Sequence, residues 1–371
     1  MANILILGGG LSGITAAESI ARQLVPEHQI TLISRSPRFV RRDKLVGLAF
    51  GKHKASDVFY DLRGPMHKRG IRFLQGEIAR VDPYDRRVII AHGDVQGSMH
   101  YDYLIFALGG RLATERISGF FEHAHHPLTI DAALKFSAAI RSFNGGQAVI
   151  GYDAGAKSTA PIYETALTLA SFLQDRGDGD RVKISIVTPG LLEAELVESM
   201  KGRTVLEALQ ANEIDFIPDF PVHRVTERSA LTSSGYQVDH DLLMFLPPFR
   251  GPSAVRGMGI TDSAGFIRVD ANMRVDGIER MYAVGDSVSF PGPRMGQMAK
   301  LQAEIAASNV VAELAGAQRN AKYEHKIMSV FDEAPLESFE LYKQNWASLQ
   351  KSWANKGMIL TTVPPTVAIG S

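Results

Sequence analysis

Ile4-Leu5-Ile6-Leu7-Gly8-Gly9-Gly10-Leu11-Ser12-Gly13 sets an unbroken apolar run directly against a Gly-x-Gly-x-x-Gly turn. Such a run, apolar at every position, reads as a strand buried on both faces of a parallel sheet. Gly8 permits the tight turn, Gly10 lets backbone approach a pyrophosphate, and Gly13 lets the next helix pack on the strand. The spacing predicts a helix over 14–24, preceded at its amino end by Leu11 and Ser12, whose amides face the anion. A second strand follows over 29–33, and at its end Ser34 can hydrogen-bond a ribose while the Arg35 guanidinium can stack on adenine.

Two later stretches belong with this unit. Arg280-Met-Tyr-Ala-Val-Gly285-Asp286 is a strand closing on Gly-Asp, where a carboxylate can accept a hydrogen bond from a ribitol hydroxyl. Tyr101-Asp-Tyr-Leu-Ile-Phe-Ala107-Leu-Gly109 is an apolar strand closing on Ala-x-Gly. In this order and spacing the three pieces resemble the two-dinucleotide-domain flavoproteins: disulfide reductases, type II NADH dehydrogenases and sulfide:quinone oxidoreductases. The resemblance covers nearly the whole chain and implies FAD as the cofactor. Within that group the chain is most similar to the sulfide:quinone oxidoreductase and flavocytochrome c sulfide dehydrogenase branch. Gly151-Tyr-Asp-Ala-Gly155-Ala-Lys157-Ser158-Thr-Ala-Pro161-Ile-Tyr163-Glu164 looks like that branch's Gly-x-x-x-Gly-x-x-Cys-x-x-Pro-x-Tyr-Glu segment. Pro293-Arg294-Met295-Gly296-Gln297-Met298 looks like its Pro-Lys-x-Gly-x-Met helix start beside the flavin. The resemblance implies that Glu164 carries protons, with Lys157 and Ser158 near the flavin, and that the charged Phe39–Leu45 stretch passes beside the ring, where Arg42 or Lys44 can either steady the reduced flavin or form a solvated turn.

The departures are as informative. The chain has no cysteine, and Ser158 stands where the branch carries a redox cysteine. A hydroxyl forms neither disulfide nor persulfide, which excludes sulfide oxidation by a cysteine pair, dithiol reduction, iron–sulfur clusters and thioether attachment of the flavin. FAD is therefore expected to be dissociable. A second dinucleotide fingerprint would begin at Gly151, but the chain reads Gly151-Tyr152-Asp153-Ala154-Gly155-Ala156, with bulk and negative charge where a pyrophosphate would lie. The expected function is an FAD-dependent oxidoreductase passing electrons from a small-molecule donor to a quinone or other small acceptor. The alternatives are a type II NADH dehydrogenase-like enzyme and an FAD-binding electron-transfer or scaffold subunit.

The fold class implied is α/β, with two Rossmann-like domains and a small C-terminal segment. Residues 1–112 and 253–325 form the FAD-binding domain, 113–252 a second dinucleotide-binding-like domain, and 326–371 an interface or membrane-facing segment. Within the insertion, helical and strand periodicities place strands at 147–151 and 183–187 and helices at 161–174 and 201–211, with short β segments over 214–246. Pro247-Pro248-Phe249-Arg250-Gly251-Pro252 reads as a short linker back to the first domain, because consecutive prolines stop helix and central strand alike. His123, His125 and His126 read as a hydrated loop. A formal net charge of zero gives no field for nucleic acid, and Met1 leaves no room for a secretory leader, so a cytoplasmic location is expected, in solution or peripherally on the inner membrane face. Trp346 and Trp353 near Lys343 and Lys351 suit a membrane surface, packing on the chain itself, or a second copy of the chain.

Overall fold

The computed structural model describes residues 1–24, 27–190 and 200–326. Its main sheet runs in the order Met281–Ala283, Tyr103–Phe106, Asn3–Leu7, Gln29–Ser34, Arg72–Asp82, Arg87–Gly93, Gly97–His100. The first five strands are parallel and the last two antiparallel. Every side chain of Tyr103–Phe106 and of Met281–Ala283 is buried, as their unbroken apolar sequences require. Register aligns Leu7 with both Ile33 and Phe106, and Phe106 with Ala283, so these strands end level with one another. That row of carboxyl ends is where an open α/β sheet presents a ligand site.

The helix Leu11–Gln23 begins as soon as the glycine turn ends, earlier than periodicity alone suggests. Its Ala16 and Ala17, and Ala303, Ala306 and Ala307 of the helix Gly296–Leu314, are fully buried; these two helices pack along each other over the sheet. The close approach begins at the turn. Gly8 sits at φ +116°, and a Cβ there would lie 2.1 Å from the Ala107 carbonyl oxygen. A Cβ on Gly13 would lie 1.8 Å from the Gly8 carbonyl oxygen.

A second, wholly parallel sheet orders Asp215–Ile217, Val182–Val187, Gly146–Tyr152 and Leu242–Leu246. The helices Ile130–Ser142, Ala160–Arg176 and Met200–Ala211 belong to this half. Two expectations change here. The proline-rich return is not a bare linker: Phe249 and Arg250 pair antiparallel with Leu112 and Arg111, tying the outgoing and returning crossovers together. Proline lacks an N–H but keeps its carbonyl, and Pro248 O accepts from Ala113 N at 2.8 Å. Nor do the histidines form a hydrated loop. His125 N donates to Leu243 O and His125 O accepts from Phe245 N, extending the second sheet by a bridge, while the His125 ring stacks on Phe136 with centroids 5.7 Å apart. From residue 327 onward the C-terminal expectation falls outside the described residues. Among the described residues no helix is long and apolar enough to cross a membrane.

Two outcomes follow from this packing. Gly13→Ala is expected to cost about 1–3 kcal/mol of unfolding free energy in denaturant titrations, because backbone must shift to admit the methyl group; Gly10→Ala, whose Cβ meets nothing within 4 Å, is expected to cost less than about 1 kcal/mol. Equal losses would refute the close approach. The second concerns pH. Burial pushes His126 down to about 4 from 6.5, and its Nδ1 accepts from Leu128 N at 3.3 Å. The unfolded chain takes up this proton first, so its contribution to stability is intact above about 6.5 and lost as pH falls toward about 4. His126→Gln should therefore show a shallower loss of stability over that window; an unchanged slope would remove His126 from the acid response.

Candidate active site

Gly10 is the N-cap of the Leu11–Gln23 helix, and having no side chain it leaves the first-turn amides to outside partners. The space above it is open, as it is above Gly109 at φ +69°. Ser34 lies against the same turn, its hydroxyl 2.7 Å from where a Gly9 Cβ would stand, and Arg35 is exposed beside it. The downstream motif closes on the first from the other side. A Gly285 Cβ would lie 2.5 Å from Ser12 Oγ, Gly285 N donates to Gln302 Oε1 at 2.8 Å, and Ser287 Oγ donates to Gly109 O at 3.2 Å. Gly8, Ser12, Gly13, Ala107, Gly109 and Gly285 are thus brought to one place although they come from three separate stretches of sequence.

Asp286 has a partner that spacing does not reveal. Lys157 Nζ reaches across from the second half to Asp286 Oδ2 at 2.6 Å, with side-chain exposures of 25% and 15%, and Lys157 O accepts from Arg294 N at 3.0 Å. The Arg294 guanidinium does not extend along the helix start. It turns inward, donating to Val288 O at 2.7 Å and to Asp286 O at 3.3 Å, with its central carbon 3.6 Å from the Phe266 ring centroid and 4.5 Å from that of Phe290. Burial lowers its pKa to about 10, and the desolvated guanidinium gains from the two aromatic faces. Arg294 thereby holds the Asp286–Val288 backbone in place. Gly296 opens the Gly296–Leu314 helix, with Gln297 exposed next to it.

The second sheet carries a different turn. Its strand ends at Tyr152, which is buried, and the next helix begins only at Ala160. The intervening loop satisfies itself: Asp153 Oδ1 accepts from Gly155 N at 2.7 Å, Asp153 O from Ala156 N at 2.8 Å, and Gly155 O from Phe249 N at 2.7 Å. An Asp side chain occupies the amide that a pyrophosphate would otherwise take. The same loop carries Lys157 and the half-buried Ser158. Glu164 sits in the second turn of the helix and is 8% exposed; no acidic residue occupies the first turn, so a favourable helix dipole does not account for it. Arg42 lies exposed in the short turn Arg42–Lys44, where its neighbour Arg41 pairs with Asp43.

Sequence reading missed Lys157 as the partner of Asp286, and Gln302. Nothing local signals the first. The second carries a signal in retrospect: Gln302 and Asn309 are the two amides on an otherwise small, apolar inner helix face, and both are spent on backbone groups of neighbouring loops.

Comparisons with known proteins agree with this architecture. The family model for pyridine nucleotide-disulphide oxidoreductases matches residues 2–308. A sulfide-quinone reductase from Aquifex aeolicus is 27% identical over 334 residues, covering 84% of this chain and 76% of that protein. An alternative NAD(P)H-ubiquinone oxidoreductase from Arabidopsis thaliana is 24% identical over 355 residues, covering 84% and 67%. The X-ray structure of the sulfide:quinone oxidoreductase from Aquifex aeolicus superposes with a TM-score of 0.79 at 25% identity, covering 85% of this chain and 78% of that one. The chain is an oxidoreductase, similar to sulfide:quinone oxidoreductases but without cysteine. It belongs to the pyridine nucleotide-disulphide oxidoreductase family.

Proposed function

We propose that the chain is an FAD-dependent oxidoreductase that passes electrons from a small-molecule donor to a quinone or other small acceptor, using neither a cysteine pair nor a nicotinamide site in the second sheet. The observation carrying this reading is the convergence of the Gly8–Gly13 turn, Ala107–Gly109 and Gly285-Asp286 around an open, uncapped helix end. These residues fit FAD. The first-turn amides suit its pyrophosphate, Ser34 its ribose, and the carboxylate of Asp286 a ribitol hydroxyl. In this reading residues 1–112 and 253–325 hold the cofactor, and 113–252 supplies the loop that covers it.

Bound FAD supplies reversible two-electron chemistry and needs no thiol for it. The chain's own residues orient and exclude. Lys157 fixes the Asp286 carboxylate, and Arg294 holds the backbone on which that carboxylate stands. Glu164, buried one turn into the helix that follows the Lys157 loop, holds a proton at its carboxyl and exchanges it during turnover. The NADH dehydrogenase-like alternative requires a pyrophosphate at the Asp153–Gly155 turn, which the Asp153 side chain opposes. The scaffold alternative requires that bound FAD resist every donor.

Three measurements decide among these readings. Anaerobic stopped-flow mixing of FAD-loaded protein with NADH, NADPH and sulfide in turn should show slow bleaching with the two nicotinamides; fast bleaching by NADH would overturn the reading of the second turn. Glu164→Gln should lower the rate of flavin reduction by about 10²–10⁴ and flatten its pH dependence, with FAD retained; an unaltered profile would remove Glu164 from proton handling. In a double-mutant cycle of Lys157→Met with Asp286→Asn, unfolding of FAD-loaded protein should give a coupling above about 0.5 kcal/mol, the limit for independent sites.

A further inference from the structure

Where the two crossovers pair, the antiparallel ladder sets Arg250 directly opposite Arg111. Residues opposite one another in such a ladder project from the same face, and like charges so placed repel. Both arginines line a cleft of about 280 Å³, together with Arg116, Arg256, Thr261 and Ser263. Among the described residues no carboxylate lines it. Glu115 pairs with Arg111 at 2.7 Å from outside the lining. Asp262, next in sequence to two lining residues, is engaged elsewhere, accepting from Ala264 N, Phe266 N and Ser289 Oγ. Among the described residues, four positive charges less one from Glu115 leave three without a paired carboxylate around a single small cavity.

That arrangement costs folding free energy unless something offsets it, and it is built rather than incidental. The ladder fixes the backbone of Arg250, and the lining residue Gly251 is fixed in turn by its N–H, which donates to Ala264 O at 3.1 Å. A guanidinium is planar and can donate two parallel hydrogen bonds to the oxygens of a phosphoryl group, so four of them lining one cleft suit such a ligand. A lone phosphate would leave part of the charge unmatched, whereas two linked phosphoryl groups carry about the charge the cleft lacks. The volume lies near the lower end of small-ligand sites, too small for a whole dinucleotide. We propose that this cleft is a binding site for a small, soluble polyanion bearing two linked phosphoryl groups, held between the outgoing and returning crossovers and separate from the FAD site.

The test uses the full chain loaded with FAD, so that the Gly8–Gly13 turn is occupied, with inorganic pyrophosphate as the probe. Calorimetric titrations at constant ionic strength should show one pyrophosphate site at least tenfold tighter than that for sulfate. Arg256→Ala, at an exposed position outside the ladder, and Arg250→Lys, which keeps the charge but loses the fork, should each weaken pyrophosphate at least tenfold and fivefold respectively while flavin content and melting temperature without ligand are unchanged. Glu115→Gln should leave binding intact or tighten it. Pyrophosphate binding no tighter than sulfate, or equally tight in Arg256→Ala and Arg250→Lys, would overturn the proposal.

Discussion

Backbone lies against backbone at the carboxyl ends of the parallel strands, and the rest of the molecule is arranged around that contact. Gly8 abuts the Ala107 carbonyl and Gly13 abuts the Gly8 carbonyl, at separations that leave no room for any side chain. The helix Leu11–Gln23 is drawn onto the sheet by this approach, and its amides are aimed along the strand ends. The alanine face of Gly296–Leu314 can then close on it, which brings Gln302 to the Gly285 amide and sets Asp286 in position. Each step depends on the close fit of the one before.

The polar part of the site is assembled differently, by charges from distant segments. In relatives of the sulfide-oxidising branch the resemblance implies sulfur at this loop; here the loop instead sends Lys157 to Asp286. An ion pair at 15–25% side-chain exposure draws on a low local dielectric, and it depends on both partners staying in register. Arg294 supports that register by taking up two backbone carbonyls and two aromatic faces at once.

Much of this was legible in the sequence because it rests on local rules. Apolar runs in which every residue is buried marked the strands at 4–7, 103–106 and 281–283, and the glycine spacing marked the turn after the first of them. The second half followed its periodicities to within a residue or two at 146–152, 160–176 and 182–187. What was not legible depends on pairing across long separations. Phe249 and Arg250 read as linker because flanking prolines veto a central strand, yet a two-residue ladder needs few donors and found them in Arg111–Leu112. His125 read as hydrated because its neighbours are polar, yet Leu242–Leu246 is the last strand of its sheet and His125 pairs with it as a further bridge. The Lys157–Asp286 pair has no sequence signature at all.

The ladder between the crossovers has a mechanical consequence. Entry to and exit from the inserted half are hydrogen-bonded to each other at Leu112 and Phe249, so a pull on the chain from its amino end toward the Gly296–Leu314 helix is carried by the main sheet and this short clasp. The clasp lets tension bypass most of the inserted half, which is also tied to the loaded segments through Lys157, at Asp286 and at Arg294 N. While the clasp holds, the stretch between Leu112 and Phe249 opens and recloses as a closed loop whose ends need not find each other again.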